Sequence, residues 1–309
     1  RGGPAVTGVI QNAIDALALG SLFALTALGI GLIFGIMRLI NFAHGDFIMI
    51  GGYALIVPSS AVVATTLIGA WPAPLLVGAI CLIVVMVALA SERLAFRPLR
   101  GANPSVLLIT SFALSFFLEH LVVMIYGGRL KSVNLWPELI EPLVVGGLRI
   151  PRLQIITIGV TITLLILLVM FLRRTAIGIH MRAASEDFVM ARLLGVRANR
   201  VIAAAFAISG LLAAAVSLLY VTQQGALKFQ MGIPLVLFAF VATVVGGMGS
   251  LVGAVLGGFV VGIASVVFQI ILPVAERPQR DVLVYGLILL ILLLRPSGLV
   301  KVKSVEEKV

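Results

Sequence analysis

Charge is scarce in this sequence, and cysteine is nearly absent. Only 11% of the 309 residues are Asp, Glu, Lys or Arg, while 61% are hydrophobic. A soluble domain needs about a quarter of its residues charged, so a soluble globular fold is excluded. Cys81 is the one cysteine. It rules out an intramolecular disulfide and any multi-cysteine metal site, and it leaves the redox compartment unread. No lysine stands in a G-x-x-x-x-G-K-[ST] pattern, so the chain has no phosphate-cradling loop. H-E-x-x-H is missing, as is a recognisable set of nucleophile and base. Hydrolysis by this chain alone is thereby excluded, and no cofactor or metal is expected in it. The short apolar–polar alternation of a transmembrane barrel is absent too.

Long apolar runs take the place of these features. Ala16–Met37, Leu153–Leu172 and Val201–Leu227 contain no charged residue. Each reaches the roughly 20 residues that cross about 30 Å of hydrocarbon as a helix. Phe47–Ser91 and Phe229–Ala275 are each about twice that length. The reading is an all-α integral membrane protein: a polytopic bundle of about 8–9 transmembrane helices, some of them broken. Spans are expected near 10–36, 44–64, 73–92, 104–126, 153–172, 201–222, 233–248, 251–272 and 281–295. The whole of 1–309 reads as one transmembrane domain, with 173–200 as a cytoplasmic loop. The first apolar run lacks a clear small-x-small cleavage site and reads as a retained span.

Basic residues outnumber acidic ones, 22 to 12. In a membrane chain this excess marks the cytoplasmic side rather than a nucleic-acid partner. Arg93, Arg97 and Arg100 share one loop. Arg173, Arg174, Arg182, Arg192, Arg197 and Arg200 share another. Arg295, Lys301, Lys303 and Lys308 close the chain. With nine spans all three groups fall on one face, which places 127–152 and the N-terminus outside.

Residues 41–52, "NFAHGDFIMIGG", interrupt the apolar pattern. A helix broken inside a bilayer exposes backbone N–H and C=O groups, which is tolerated only against protein or water. A carboxylate at that depth faces a path or a partner. Asp46 is therefore read as lining a path, with His44 or Arg38 as its partner; a solvated loop at the membrane edge is the other reading. Glu119 and His120 form a second ionisable pair, read as interfacial or packed on Arg129. Gly249, Gly253, Gly257, Gly258 and Gly262 recur at the spacing that lets helix backbones approach. Gly246 and Gly247 mark the end of a half-helix. A span with a glycine-interrupted seam at 20–52 has a counterpart at 201–258 running the opposite way, the pattern of an inverted repeat. Chance likeness of glycine-rich segments is the alternative. Within 173–200, Ala183, Ala184, Ala191, Leu193 and Leu194 suit one short helix ended by Gly195. Its apolar face calls for a protein partner, or for a lipid surface.

Three stretches carry a family resemblance. "GIGLIFGIMRLINFAHGDFIMIGGY" (29–53), "RAASEDFVMARLLGV" (182–196) and "VVGGMGSLVGAVLGG" (244–258) resemble, in order, signatures of the permease subunits of branched-chain amino acid ABC transporters. The "INFAHGD" wording resembles the LivH-type subunit. The resemblance implies a bacterial inner-membrane importer. Its other parts would be a LivM-type second permease, two cytoplasmic ATPases that bind ATP and Mg, and a periplasmic binding protein. It implies a translocation path at Asn41, His44, Gly45, Asp46, Gly51, Gly246, Gly247 and Gly249. It implies ATPase coupling through Ala183, Ala184, Glu186, Asp187, Ala191, Leu194 and Gly195. Leucine, isoleucine and valine are the implied substrates. Urea and short amides are carried on the same framework by related permeases, and an ion-coupled secondary transporter using Asp46 or Glu119 is a further alternative.

Overall fold

The computed structural model describes residues 4–59, 61–145, 147–295 and 298–300. Lys301, Lys303 and Lys308 lie outside the described residues. The chain runs α1 (Pro4–Met37), α2 (His44–Tyr53), α3 (Ala73–Ser91), α4 (Pro104–Tyr126), β1 (Lys131–Ser132), α5 (Pro137–Ile140), β2 (Pro142–Val145), β3 (Leu148–Pro151), α6 (Arg152–Arg174), α7 (Ala176–Glu186), α8 (Phe188–Leu193), α9 (Ala198–Gln224), β4 (Ala226–Leu227), α10 (Gly232–Gly246), α11 (Leu251–Ile271) and α12 (Arg280–Leu294). Six of the described helices are long and apolar enough to cross a membrane: α1, α3 with its continuation to Leu99, α4, α6, α9 and α11. The protein is a multi-pass helical membrane protein. Its strands are short: β2 and β3 form a hairpin, and β1 pairs with β4.

Hydropathy does not separate the central helices from the peripheral ones; burial does. The most apolar stretch of α1 is 83% buried, against 22% for α3 and for α6. α1 has 34 residues, about 50 Å at 1.5 Å per residue, and packs along α11, α9, α10 and α6. Small residues permit this: Gly258 and Gly262 of α11 lie against Ala24 and Gly20 of α1. Within α11 the stripe begins at Gly253, since Gly249 precedes the helix.

The expected span at 44–64 is not one helix. α2 stops at Tyr53. Pro58 lacks an N–H and disfavours a helical Val57, and residues 54–59 and 61–69 fold back on each other instead, with Val57 N–H donating to Thr65 O and Leu67 N–H to Leu55 O. The crossing is made by a broken segment. α1 ends with Arg38 in a left-handed conformation, φ +53°. Residues 38–43 are irregular, and α2 then carries the chain to Tyr53, which packs edge-on to Tyr126 at the far end of α4.

The arginine clusters gather at one end of the bundle. Arg38, Arg100, Arg192, Arg197 and Arg200 line a single cavity of about 800 Å³. Arg100 pairs with Glu92 and donates to Asn199 Oδ1, tying the segment after α3 to the start of α9. Opposite, Gln154 Nε2 donates to Asp15 Oδ1 at 2.7 Å, so the first part of α1 sits with the start of α6, away from that arginine-lined cavity.

Candidate functional site

Two broken crossings meet inside the bundle. α2 begins at His44 and runs away from the arginine-rich end. α10 begins at Gly232 and runs towards it, ending at Gly246 beside Gly253 of α11. The two N-termini touch through their backbones. A Cβ built on Gly45 would lie 2.6 Å from the Gly232 carbonyl oxygen, so both positions require glycine. The first turns of two helices, each carrying positive partial charge, therefore converge at one point.

A cavity of about 380 Å³ opens there, between α2, α4 and α10. Gly45 and Asp46 come from α2, Phe112, Ser115, Phe116 and Glu119 from α4, and Gly232, Ile233 and Val236 from α10. Phe42, in the irregular segment, closes one wall by stacking on Phe112, with ring centroids 4.3 Å apart. Asp46 is 2% exposed and Glu119 7%. Asp46 Oδ2 has no hydrogen-bond partner among the described residues, and neither carboxylate has a cation within salt-bridge distance among them.

His44 and Arg38 are not the partners of Asp46. His44 is buried and shares a 2.9 Å hydrogen bond between its Nδ1 and Ser209 Oγ of α9. Arg38 sits at the arginine-rich end near Gly249. A one-residue step along the helix separates side chains by about 100°, so Gly45 at the backbone contact leaves His44 and Asp46 pointing to different neighbours. Asn41 is fully buried, and neither its Oδ1 nor its Nδ2 finds a partner among the described residues. Gly51 packs against Ser217 and Val84, away from the cavity.

Gly246, Gly247 and Gly249 lie apart from Asp46. Gly247, φ +109°, and Gly249, φ +93°, form the turn from α10 to α11. Leu299 and Val300 donate their N–H groups to Val245 O and Gly246 O, strapping this turn. Gly249 shares a second cavity, about 260 Å³, with Met181, Ser185 and Glu186 of α7. Glu119, read from the sequence as interfacial, instead faces Asp46's cavity, while His120 is exposed. The signal was available: Phe112, Ser115, Phe116 and Glu119 recur at i, i+3, i+4 and i+7, which is one face of a helix.

The stretch 173–200 forms two helices rather than one. Thr175 caps α7 through Oγ1, accepting from Gly178 N at 3.0 Å. Asp187 breaks the run and caps α8, its Oδ1 accepting from Val189 N and Met190 N at 2.9 Å. Glu186 is the last residue of α7. Gly195 stops the segment with φ +89°. Ala184 and Ala191 are buried against the chain itself, and α7 packs on α1, α6 and α9. Ala183 is exposed. Leu193 and Leu194 are 76% and 85% exposed, with Val189 and Met190 exposed beside them. Among the described residues no group of three or more His, Cys, Asp or Glu is placed to hold a metal ion.

Comparison with known proteins shows the family. The family described as branched-chain amino acid transport system / permease component matches residues 12–293. The chain is 33% identical to the high-affinity branched-chain amino acid transport system permease protein BraD of Pseudomonas aeruginosa, over 98% of this chain and 99% of BraD. It is 32% identical to the corresponding permease protein LivH of Escherichia coli K12, over 96% and 97% of the two chains. A probable branched-chain amino acid transport permease protein LivH of Methanocaldococcus jannaschii is 27% identical over 92% and 90%. No solved structure gives a significant match.

Proposed function

Because this chain belongs to the branched-chain amino acid transport permease family, we propose that it forms the translocation path of an ATP-driven importer for leucine, isoleucine and valine in a bacterial inner membrane. The observation that carries the reading is the junction of α2 and α10 at a cavity that holds two carboxylates in an otherwise apolar wall. Irregular backbone at that depth is tolerated where it borders a water-filled or ligand-filled space. The partners are a LivM-type second permease, two cytoplasmic ATPases holding ATP and Mg, and a periplasmic binding protein.

The arginine-rich end faces the cytoplasm in this assembly. α8 is the docking element, with Leu193 and Leu194 as anchors, as an amphipathic helix sits in an apolar groove. Motion of α8 reaches the bundle through α7, whose Glu186 shares a cavity with Gly249 at the strapped turn of α10 and α11. Ala184 and Ala191 belong to the inner face of this element and hold it on the bundle.

ATP-driven uptake by the reconstituted complex decides the reading, with labelled leucine against labelled urea. Leucine uptake that needs ATP, the ATPases and the binding protein is expected. Urea uptake without leucine uptake overturns the substrate. Uptake by this chain without ATPases, under an ion gradient, overturns the importer; the two carboxylates in the cavity are what favour that second reading.

A further inference from the structure

We propose that the cavity between α2, α4 and α10 binds a primary ammonium group carried on an aliphatic body, with Asp46 and Glu119 as its two carboxylate ligands. The inference rests on the permease reading and gives that path a chemical filter: the α-ammonium end of the amino acid.

The geometry points this way from three sides. First, the cavity holds two carboxylates and no cation among the described residues, and Asp46 Oδ2 lacks any partner there while its residue is 98% buried by its 2% exposure. A buried charge without a partner is costly, so such groups are paired, neutralised or occupied by a ligand. Asp46 lies in the first turn of α2 and beside the first turn of α10. Those N–H ends offset part of the burial cost, yet Oδ2 still has no partner among the described residues. Second, the remaining wall is apolar and aromatic: Phe42, Phe112, Phe116, Val236 and Leu237. Such a wall accepts a branched aliphatic group, and ring faces also attract a cation at close range. Third, the volume of about 380 Å³ lies at the small end of ligand pockets, which suits an amino acid and excludes a bulky solute. Urea carries neither the cation nor an aliphatic body, and short amides lack the cation, so this arrangement discriminates against both. Because Phe112 and Phe116 are exposed on the outer side of α4, a lipid ammonium headgroup offers the same chemistry from another source.

The test reads the ligand directly and needs neither ATPase nor binding protein. Ser115, in the cavity wall, is replaced in the full chain by Ser115→Cys, with Cys81→Ser removing the native thiol. The protein is placed in phosphatidylglycerol vesicles, which carry no lipid ammonium, and the rate of maleimide labelling is followed. Leucine and 3-methylbutylamine should slow labelling, by about threefold at twice their dissociation constant, and 4-methylpentanoate should not. Adding Asp46→Asn and Glu119→Gln should abolish the protection while size-exclusion elution stays unchanged. Equal protection by the carboxylate-only compound, or none by the amine, overturns the proposal. Slow labelling in phosphatidylethanolamine vesicles that leucine does not slow further assigns the site to lipid and overturns the amino-acid source. Protection without ATP-driven uptake in the assembled complex overturns the importer reading alone. Uptake without protection overturns this inference alone.

Discussion

Around Asp46, two carboxylates are withdrawn behind a wall of phenylalanines. On α8 and at Leu194 just after it, four apolar side chains stand out beside arginines. The first region buries charge in apolar surroundings, and the second exposes apolar surface beside charge. Each reverses the ordinary rule for its location, in which buried charge is paired and large apolar side chains are covered. Both regions are thereby incomplete, but what completes them differs. In the reading proposed above, a small cation restores the balance in the cavity and a large apolar surface restores it on α8. The difference also predicts how the two regions respond to substitution, because one is enclosed by backbone contacts and the other is not.

The largest expected effect comes from the backbone contact itself. Gly232→Leu places side-chain atoms where the Gly45 carbonyl stands, and rigid backbone offers no relief. Folded yield in the membrane should collapse, a cost of about 4 kcal/mol or more, read by detergent-extracted monodisperse protein. Normal yield would separate the α2–α10 junction from the fold.

Ala184→Trp comes next. Ala184 faces the bundle, so a large side chain overpacks α7 against α1, α6 and α9. The expected loss is about 1–3 kcal/mol, seen as a lower unfolding temperature of the isolated permease. An unchanged temperature, with ATPase binding lost, would instead put Ala184 on the docking face.

Asp46→Leu should leave the fold nearly untouched. Removing one member of a buried ion pair costs about 3–5 kcal/mol, but replacing an unpaired buried charge by an apolar group is neutral or stabilising. Asp46 has no cationic partner among the described residues. Normal abundance with leucine uptake abolished is therefore expected in the reconstituted complex. A sharp drop in abundance would mean that a structural partner for Asp46 exists.

The smallest cost to the fold falls on α8. Leu193→Asp with Leu194→Asp changes exposed side chains, worth within about 0.5 kcal/mol for the permease. Co-purification with the ATPases and coupled ATP hydrolysis should nonetheless be lost. Retained co-purification would leave α8 as a helix resting on lipid.

These two regions were not equally legible in the sequence. The interruption at 41–52 stood out because His44, Gly45 and Asp46 follow a long uncharged run, and the broken crossing is found there. What faces Asp46 was not legible. The start of α10 was legible, since a span was expected at 233–248 and the helix begins at Gly232, but nothing local in Gly232 marks its contact with Gly45. Glu119 was visible but was read as interfacial or packed on Arg129, because it stands near the end of the span expected at 104–126. The cap at Asp187 was legible as a helix start, yet two helices were read as one because alanines on both sides share helical propensity. The separation of Gly246, Gly247 and Gly249 from Asp46 follows from the meeting of α2 and α10 at their N-termini, which no local pattern carries.

The sequence by itself determined the solvent of this protein and the class of its fold. Uncharged runs of spanning length leave no stable arrangement but membrane helices, because unpaired backbone in hydrocarbon costs several kcal/mol per group. It also determined the arginine-rich end, since Arg38, Arg100, Arg192, Arg197 and Arg200 are distributed so that one face collects them. Only the tertiary structure decided which helices are central, because lipid and protein interior are equally apolar and hydropathy cannot tell them apart. It alone brought Asp46, Glu119 and Gly232 together, across 186 positions of sequence from the first to the last. That meeting depends on two helix N-termini approaching through glycines, and a contact between backbones leaves almost no trace in either segment beyond the absence of a side chain.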